Sequence, residues 1–213
     1  MGELLRRRAV MAQADAPDSY WDYEWDYTMG KLETQEGFTT DKSGTGGSSL
    51  VSDGEKIYTN NNSFYQILGS SSGIHSNLRY MPDGYGTLEV VCYGKWYNST
   101  GKGARNLRIT LSESSSYRMT IFPWNGKWRI LKAIGDSSSN TVIADAANNT
   151  IYTVRIVLKH DVADIYINGD KVCSNIATTD IYAGGSSGVM SQNGGGSSYY
   201  AVIKSVKFHL GPD

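Results

Sequence analysis

Residues 152–172 read Tyr152-Thr153-Val154-Arg155-Ile156-Val157-Leu158-Lys159-His160-Asp161-Val162-Ala163-Asp164-Ile165-Tyr166-Ile167-Asn168-Gly169-Asp170-Lys171-Val172. Tyr152 to Leu158 is an apolar run of strand length, and Val162 to Ile167 is a second. The second run meets Asn168-Gly169 and continues into Lys171-Val172. Asn-Gly between such runs marks a tight hairpin, because both turn residues must accept positive φ and few residue types do so cheaply. The stretch therefore folds back on itself at least once as paired antiparallel strands.

The same grammar extends outward. Tyr117 to Phe122 and Trp128 to Ile134 flank a second corner, Asn125-Gly126. Thr87 to Tyr93 is an apolar strand, and Leu107, Ile109 and Leu111 alternate with Asn106, Arg108 and Thr110. Shorter strands are expected at Lys56–Thr59 and Ser63–Leu68, and closing strands at Gly188–Gln192 and Tyr200–Leu210. Gly, Ser and Thr crowd residues 39–49, 70–73 and 193–198, which read as loops. At the front, Tyr20-Trp21-Asp22-Tyr23-Glu24-Trp25-Asp26-Tyr27 puts aromatics on odd positions and acids on even ones from Asp22, a strand with one buried face. No helical period is sustained between Tyr20 and Leu210. Many short strands with regular turn signals predict an all-β fold, a two-sheet antiparallel jelly-roll sandwich without internal repeats.

Composition agrees. Of 213 residues, 24 are Gly, above the usual share of about 7%, and 15 are Tyr. With 20 basic against 21 acidic side chains the formal charge is −1, so no general field draws nucleic acid or an anionic bilayer. No apolar run reaches the roughly 18 residues of a membrane span, which argues against membrane insertion. Cys92 and Cys173 lie in apolar segments where a reduced thiol packs as a small hydrophobe. A chain of this length needs no disulfide to bury a core, although a Cys92–Cys173 bridge stays geometrically open. Arg6, Arg7 and Arg8 precede an apolar stretch that Asp15 ends too soon for a secretory signal, so cytoplasmic synthesis is expected. Residues 1–17 form an arm, either frayed or a short helix ordered by docking, and residues 18–213 form the sandwich domain.

The Tyr152–Val172 segment, with its Tyr166-x-Asn168-Gly169 turn, resembles the paired strands of concanavalin A-like lectin/glucanase domains, including laminin-G-like modules. Gly188–Gln192 followed by Ala201–Phe208 is similar to that superfamily's final strands, as is an early strand near Tyr20, which the family places beside the last one. The resemblance implies the jelly roll over residues 18–211. It also implies that calcium in a loop is a family option. The opening Met1, Leu4, Leu5 and Arg6-Arg7-Arg8 resembles the starts of tailed-phage and prophage structural proteins. That second resemblance implies a multicopy or homo-oligomeric virion component, with residues 1–17 meeting other virion or assembly subunits.

Catalytic chemistry finds little support. The superfamily's glucanases carry Glu-x-Asp-x-x-Glu or a close variant on one strand, and retaining hydrolysis needs carboxyl groups about 5–5.5 Å apart. No such string occurs here. Asp22, Glu24 and Asp26 read as a solvated face meeting lysines across a strand pair, and Glu33 with Glu36 would point to opposite faces. His75, His160 and His209 are scattered and bring no nucleophile with them. The Gly runs at 44–47 and 194–196 lack a following Lys-Ser/Thr and helix, so no phosphate cradle is implied. Asp136, Asp145 and Asp161 are oxygen donors suited to calcium, though outside any loop motif. A non-enzyme is expected, with no cofactor unless calcium.

Binding is the stronger expectation. Sugars are held by aromatic faces against C–H surfaces and by amides and carboxylates on hydroxyls. Trp96, Tyr97 and Asn98 follow a strand end, Trp124 and Asn125 sit at a hairpin with Trp128, and Gln192, Asn193, Tyr199 and Tyr200 flank a Gly-rich loop. Trp25 and Trp128 are assigned to the core, while Trp96, Trp124 and Tyr199 are divided between packing and ligand. These positions define a candidate site for cell-surface glycan on a structural module. The rival readings are a glycoside hydrolase and a coat subunit with no ligand.

Overall fold

The computed structural model describes residues 20–29, 40–43, 50–52, 57–59, 64–67, 85–96, 107–113, 117–134, 137–178, 186–192 and 200–212. The expected arm at 1–17, Glu33, Glu36, His75, Asp136 and the Gly runs at 44–47 and 194–196 lie outside these residues. In chain order the strands are β1 (Tyr23–Asp26), β2 (Thr40–Ser43), β3 (Leu50–Ser52), β4 (Ile57–Thr59), β5 (Phe64–Ile67), β6 (Tyr85–Lys95), β7 (Arg108–Glu113), β8 (Tyr117–Trp124), β9 (Lys127–Ile134), β10 (Ser137–Asp145), β11 (Tyr152–Lys159), β12 (Val162–Ile167), β13 (Asp170–Ala177), β14 (Ser186–Gln192) and β15 (Tyr200–His209). Among the described residues the one helical element is a 3-10 turn, Tyr27–Met29, and no helix is long and apolar enough to cross a membrane.

Two antiparallel sheets make a jelly-roll sandwich. One has the order β1-β15-β6-β11-β12-β13, the other β10-β9-β8-β7-β14-β5-β2, and β3 pairs with β4 separately. Alternation decides which side chains meet between the large sheets. Leu88, Val90 and Cys92 of β6, Val154 and Ile156 of β11 and Ile165 of β12 join Ile109 of β7, Met119 and Ile121 of β8 and Trp128 and Ile130 of β9 in one buried cluster. Both Asn-Gly corners have the left-handed backbone that two-residue hairpins demand, with φ of 51° and 69° at Asn125 and Gly126 and 54° and 88° at Asn168 and Gly169. Asn168 also pins its turn, since its amide donates to the Thr153 carbonyl and its Oδ1 accepts from the Thr153 amide.

The first strand pairs with the last, Tyr23 opposite Phe208 and Trp25 opposite Val206. Trp25 is fully buried. On the other face Glu24 lies 3.4 Å from Lys207 Nζ, and Asp22 Oδ2 accepts from the Leu210 amide, so the acidic alternation is an exposed face meeting a basic neighbour, as its spacing implies. The alternating segment forms less strand than Tyr20–Tyr27 suggests. Asp26 Oδ1 accepts from the Thr28 amide and hydroxyl, which turns the chain into the 3-10 element and holds the Asp26 carboxyl below its ordinary value.

One further segment departs from the sequence expectation, and the geometry rules out the disulfide that the sequence leaves open. Ser137-Ser138-Ser139-Asn140-Thr141 carries no strand signal, yet it opens the nine-residue β10, an edge strand paired along β9. The two cysteines are free. Cys92 is on β6 and Cys173 on β13, with β11 and β12 between them. Three strand spacings amount to about 14 Å, beyond the roughly 7 Å that a disulfide spans between Cα atoms.

Candidate functional site

Strand direction carries the predicted site residues to one end of the sandwich. β6 ends at this rim, and β15 begins there with Tyr200 opposite Lys95. β8 runs up to Trp124 and turns at Asn125-Gly126. β14 is antiparallel to β7, with Met190 opposite Arg108 and Gln192 beyond it, so Gln192 also ends at this rim. Trp96, Trp124, Asn125, Gln192 and Tyr200 are thus drawn from four separate chain segments to one end. Tyr97, Asn98, Asn193 and Tyr199 lie outside the described residues.

Trp96 itself is a correction. It is 2% exposed, so its ring offers no face to a ligand. It fastens the crossover between the sheets, residues 146–150, which link β10 to β11. Trp96 Nε1 donates to the Ala147 carbonyl at 3.0 Å and its amide to Asn148 Oδ1 at 2.8 Å. The Ala147 amide donates to Tyr152 Oη at 2.7 Å. Ala146 and Asn149 donate to the Gly126 and Gly94 carbonyls, on opposite sheets. The indole packs 5.9 Å from Trp128, which meets Tyr152 edge-on at 5.4 Å. Three large rings plug the core where the crossover closes it, and Trp25 and Trp128 are core residues as assigned.

Trp124 differs. Met119 and Ile121 on the same strand belong to the core cluster, so alternation turns Trp124 to the outer face of the seven-stranded sheet, where it is half-buried. The Arg129 guanidinium stands 4.8 Å from its ring centroid, and Arg129 Nη1 approaches Asn140 Oδ1 at 3.5 Å. Val142, opposite Arg129 on β10, is 48% exposed. Asn125 is exposed at the corner. An aromatic face, a guanidinium, two amides and an aliphatic side chain therefore share one patch beside the rim. Sequence reasoning missed Arg129, Asn140 and Val142. Arg129 follows Trp128 in an alternating strand, so its outward position was readable, but the neighbours on β10 came from a segment without strand signal.

The predicted calcium donors do not gather. Asp145 is ion-paired with Lys127. Asp161 faces His160 Nδ1 at 2.9 Å in the β11–β12 turn. Among the described residues no three His, Cys, Asp or Glu side chains cluster closely enough to hold a metal. His209 is packed against Tyr20, with rings 4.3 Å apart and nearly parallel, and its Nδ1 lies 3.1 Å from Asp22 Oδ2.

No family model matches the chain, and no curated protein matches it. Solved structures do share the fold. A protein of unknown function from Shewanella oneidensis MR-1 is 13% identical with a TM-score of 0.60, over 95% of this chain and 92% of that one. The carbohydrate-binding module CBM66 from Bacillus subtilis is 14% identical with a TM-score of 0.52, over 81% and 95%. Trypanosoma rangeli sialidase, in complex with the inhibitor DANA, is 11% identical with a TM-score of 0.60; all of this chain is covered but only 37% of the sialidase. At these identities the likeness is one of fold.

Proposed function

We propose that this chain is a non-catalytic module that binds glycans at the rim and adjoining outer face marked by Trp124, Asn125, Gln192 and Tyr200. The observation that carries the reading is convergence. Aromatic and amide residues far apart in sequence reach one end of a rigid sandwich, where Trp124 keeps part of its ring in solvent beside hydrogen-bonding side chains. Flat aromatic surface with a few amides suits sugar C–H faces and hydroxyls. That the fold is shared with a carbohydrate-binding module adds a precedent for such use. Weak single sites of this kind gain strength through repetition. Display in several copies on a phage-like particle is the setting we propose, on the sequence resemblance of residues 1–8 alone.

A glycan array with the purified protein tests the reading. Specific signals are expected, falling about tenfold or more on Trp124→Ala, as befits an aromatic anchor, with no release of reducing ends from the bound polysaccharide. Absence of any glycan signal would leave an architectural coat subunit. Reducing ends that disappear on changing Asp22 or Glu24 would make the protein a hydrolase.

A further inference from the structure

Arg129 keeps neutral company, whereas several lysines of the described residues meet carboxylates. Lys127 meets Asp145, Lys159 and Lys171 both meet Asp164, and Lys207 meets Glu24. Arg129 is half-buried on the outer face of the seven-stranded sheet, and its partners among the described residues are neutral, the Trp124 ring and the Asn140 amide. Its Nε is buried without an acceptor. Asp145, the carboxylate on the adjoining edge strand, is already engaged by Lys127. Arg108 is on the same face of β7, half-buried, two strands along, and Phe122 between them is 1% exposed.

A guanidinium partly removed from water and left without a counter-charge favours an anion that brings its own. Its planar fork matches a carboxylate in a two-point contact, which a lysine does not reproduce. The Trp124 ring holds that fork in place by stacking against it, while Val142, 48% exposed, offers aliphatic surface beside it. A planar acidic group attached to a ring with apolar C–H faces fits all of these features together.

We propose that Arg129 is the specificity residue of this patch and that it selects a carboxylate-bearing sugar, a uronic or sialic acid unit, over neutral sugars. The inference rests on the glycan-binding reading above and narrows its ligand class. Binding is measured by calorimetry on the whole chain with matched probes: oligogalacturonate against its methyl ester, and 3′-sialyllactose against lactose. At least one acidic probe is expected to bind about tenfold or more tightly than its neutral partner, the effect of one charge-assisted hydrogen bond, with the difference shrinking as salt rises. Arg129→Gln removes that preference and Arg129→Lys keeps part of it, both with wild-type circular dichroism. Equal affinity for acidic and neutral partners, or a preference that survives Arg129→Gln, overturns the acidic-sugar inference and leaves glycan binding standing. Failure of every sugar probe overturns both. Poly-glutamate bound as tightly as oligogalacturonate overturns the inference in favour of an acidic peptide.

Discussion

Two buried tryptophans show how much a single atom decides. Trp96 and Trp128 pack against each other, yet Trp96 Nε1 donates to a carbonyl while Trp128 Nε1 is buried with no acceptor. Phenylalanine at either position leaves a comparable void, which costs on the order of 2–3 kcal/mol. At Trp96 a hydrogen bond is lost as well; at Trp128 an unsatisfied donor is removed. Urea unfolding should therefore find Trp96→Phe more destabilising than Trp128→Phe by about 1 kcal/mol or more. Equal midpoints would mean that the Ala147 contact contributes nothing. This distinction could not be read from the sequence, since both tryptophans stand next to polar turns and only the crossover at residues 146–150 separates their roles.

At the scale of the element, β12 and β13 reveal a burial that alternation hides. Ile165 pairs with Cys173 and Ala163 with Ile176, so Ser174 and Asn175 both stand against Asp164, a bulge with Asn175 at φ 53°. The bulge aims the Asn175 amide at Asp164 Oδ1, while Lys159 and Lys171 bond Oδ2 at 2.7 and 2.8 Å. Burial alone would push this carboxyl up; the two lysines and the amide outweigh it and hold it well below the carboxylate range. The folded value is thus the lower one. The stabilisation is complete above about pH 5 and drains away as pH falls past the unfolded value of about 4 and on through the folded one. Asp164→Asn should lose about 1.5–3 kcal/mol at pH 7 and decline less than wild type between pH 5 and pH 2. Parallel declines in chemical denaturation would refute the assignment.

The same comparison marks what was legible. Both Asn-Gly hairpins and the strands around them follow from local turn chemistry and period two, and the β1–β15 partnership is implied by the family resemblance. β10 does not, because a Ser-rich edge strand is held by its ladder to β9 and not by its own propensity. The candidate patch was half visible for the same reason. Trp124 and Asn125 belong to a readable hairpin, whereas Asn140 and Val142 reach Arg129 only through β10.

Across the whole molecule, the sandwich keeps its thiols by depth. Cys92 is fully buried and its thiol is pushed well up by that burial, so alkylation needs the two sheets to part. Cys173 on the edge strand is partly exposed, its thiol raised by lesser burial. Native-state alkylation followed by mass spectrometry should modify Cys173 first, and Cys92 at a rate that climbs with urea toward that of global unfolding. Equal rates in buffer would show a core far looser than its packing suggests.

The partnership of the first and last strands has a mechanical corollary. Tyr23 lies opposite Phe208, and the register runs in from there to Asp26 and Ser205. The leading and trailing ends of the sandwich leave on the same side of that ladder. Traction between them therefore strains its hydrogen bonds one after another, as a zip opens, and not all together in shear. Tugged by both ends, this molecule would peel from its β1 edge while the core between the sheets behind it was still intact.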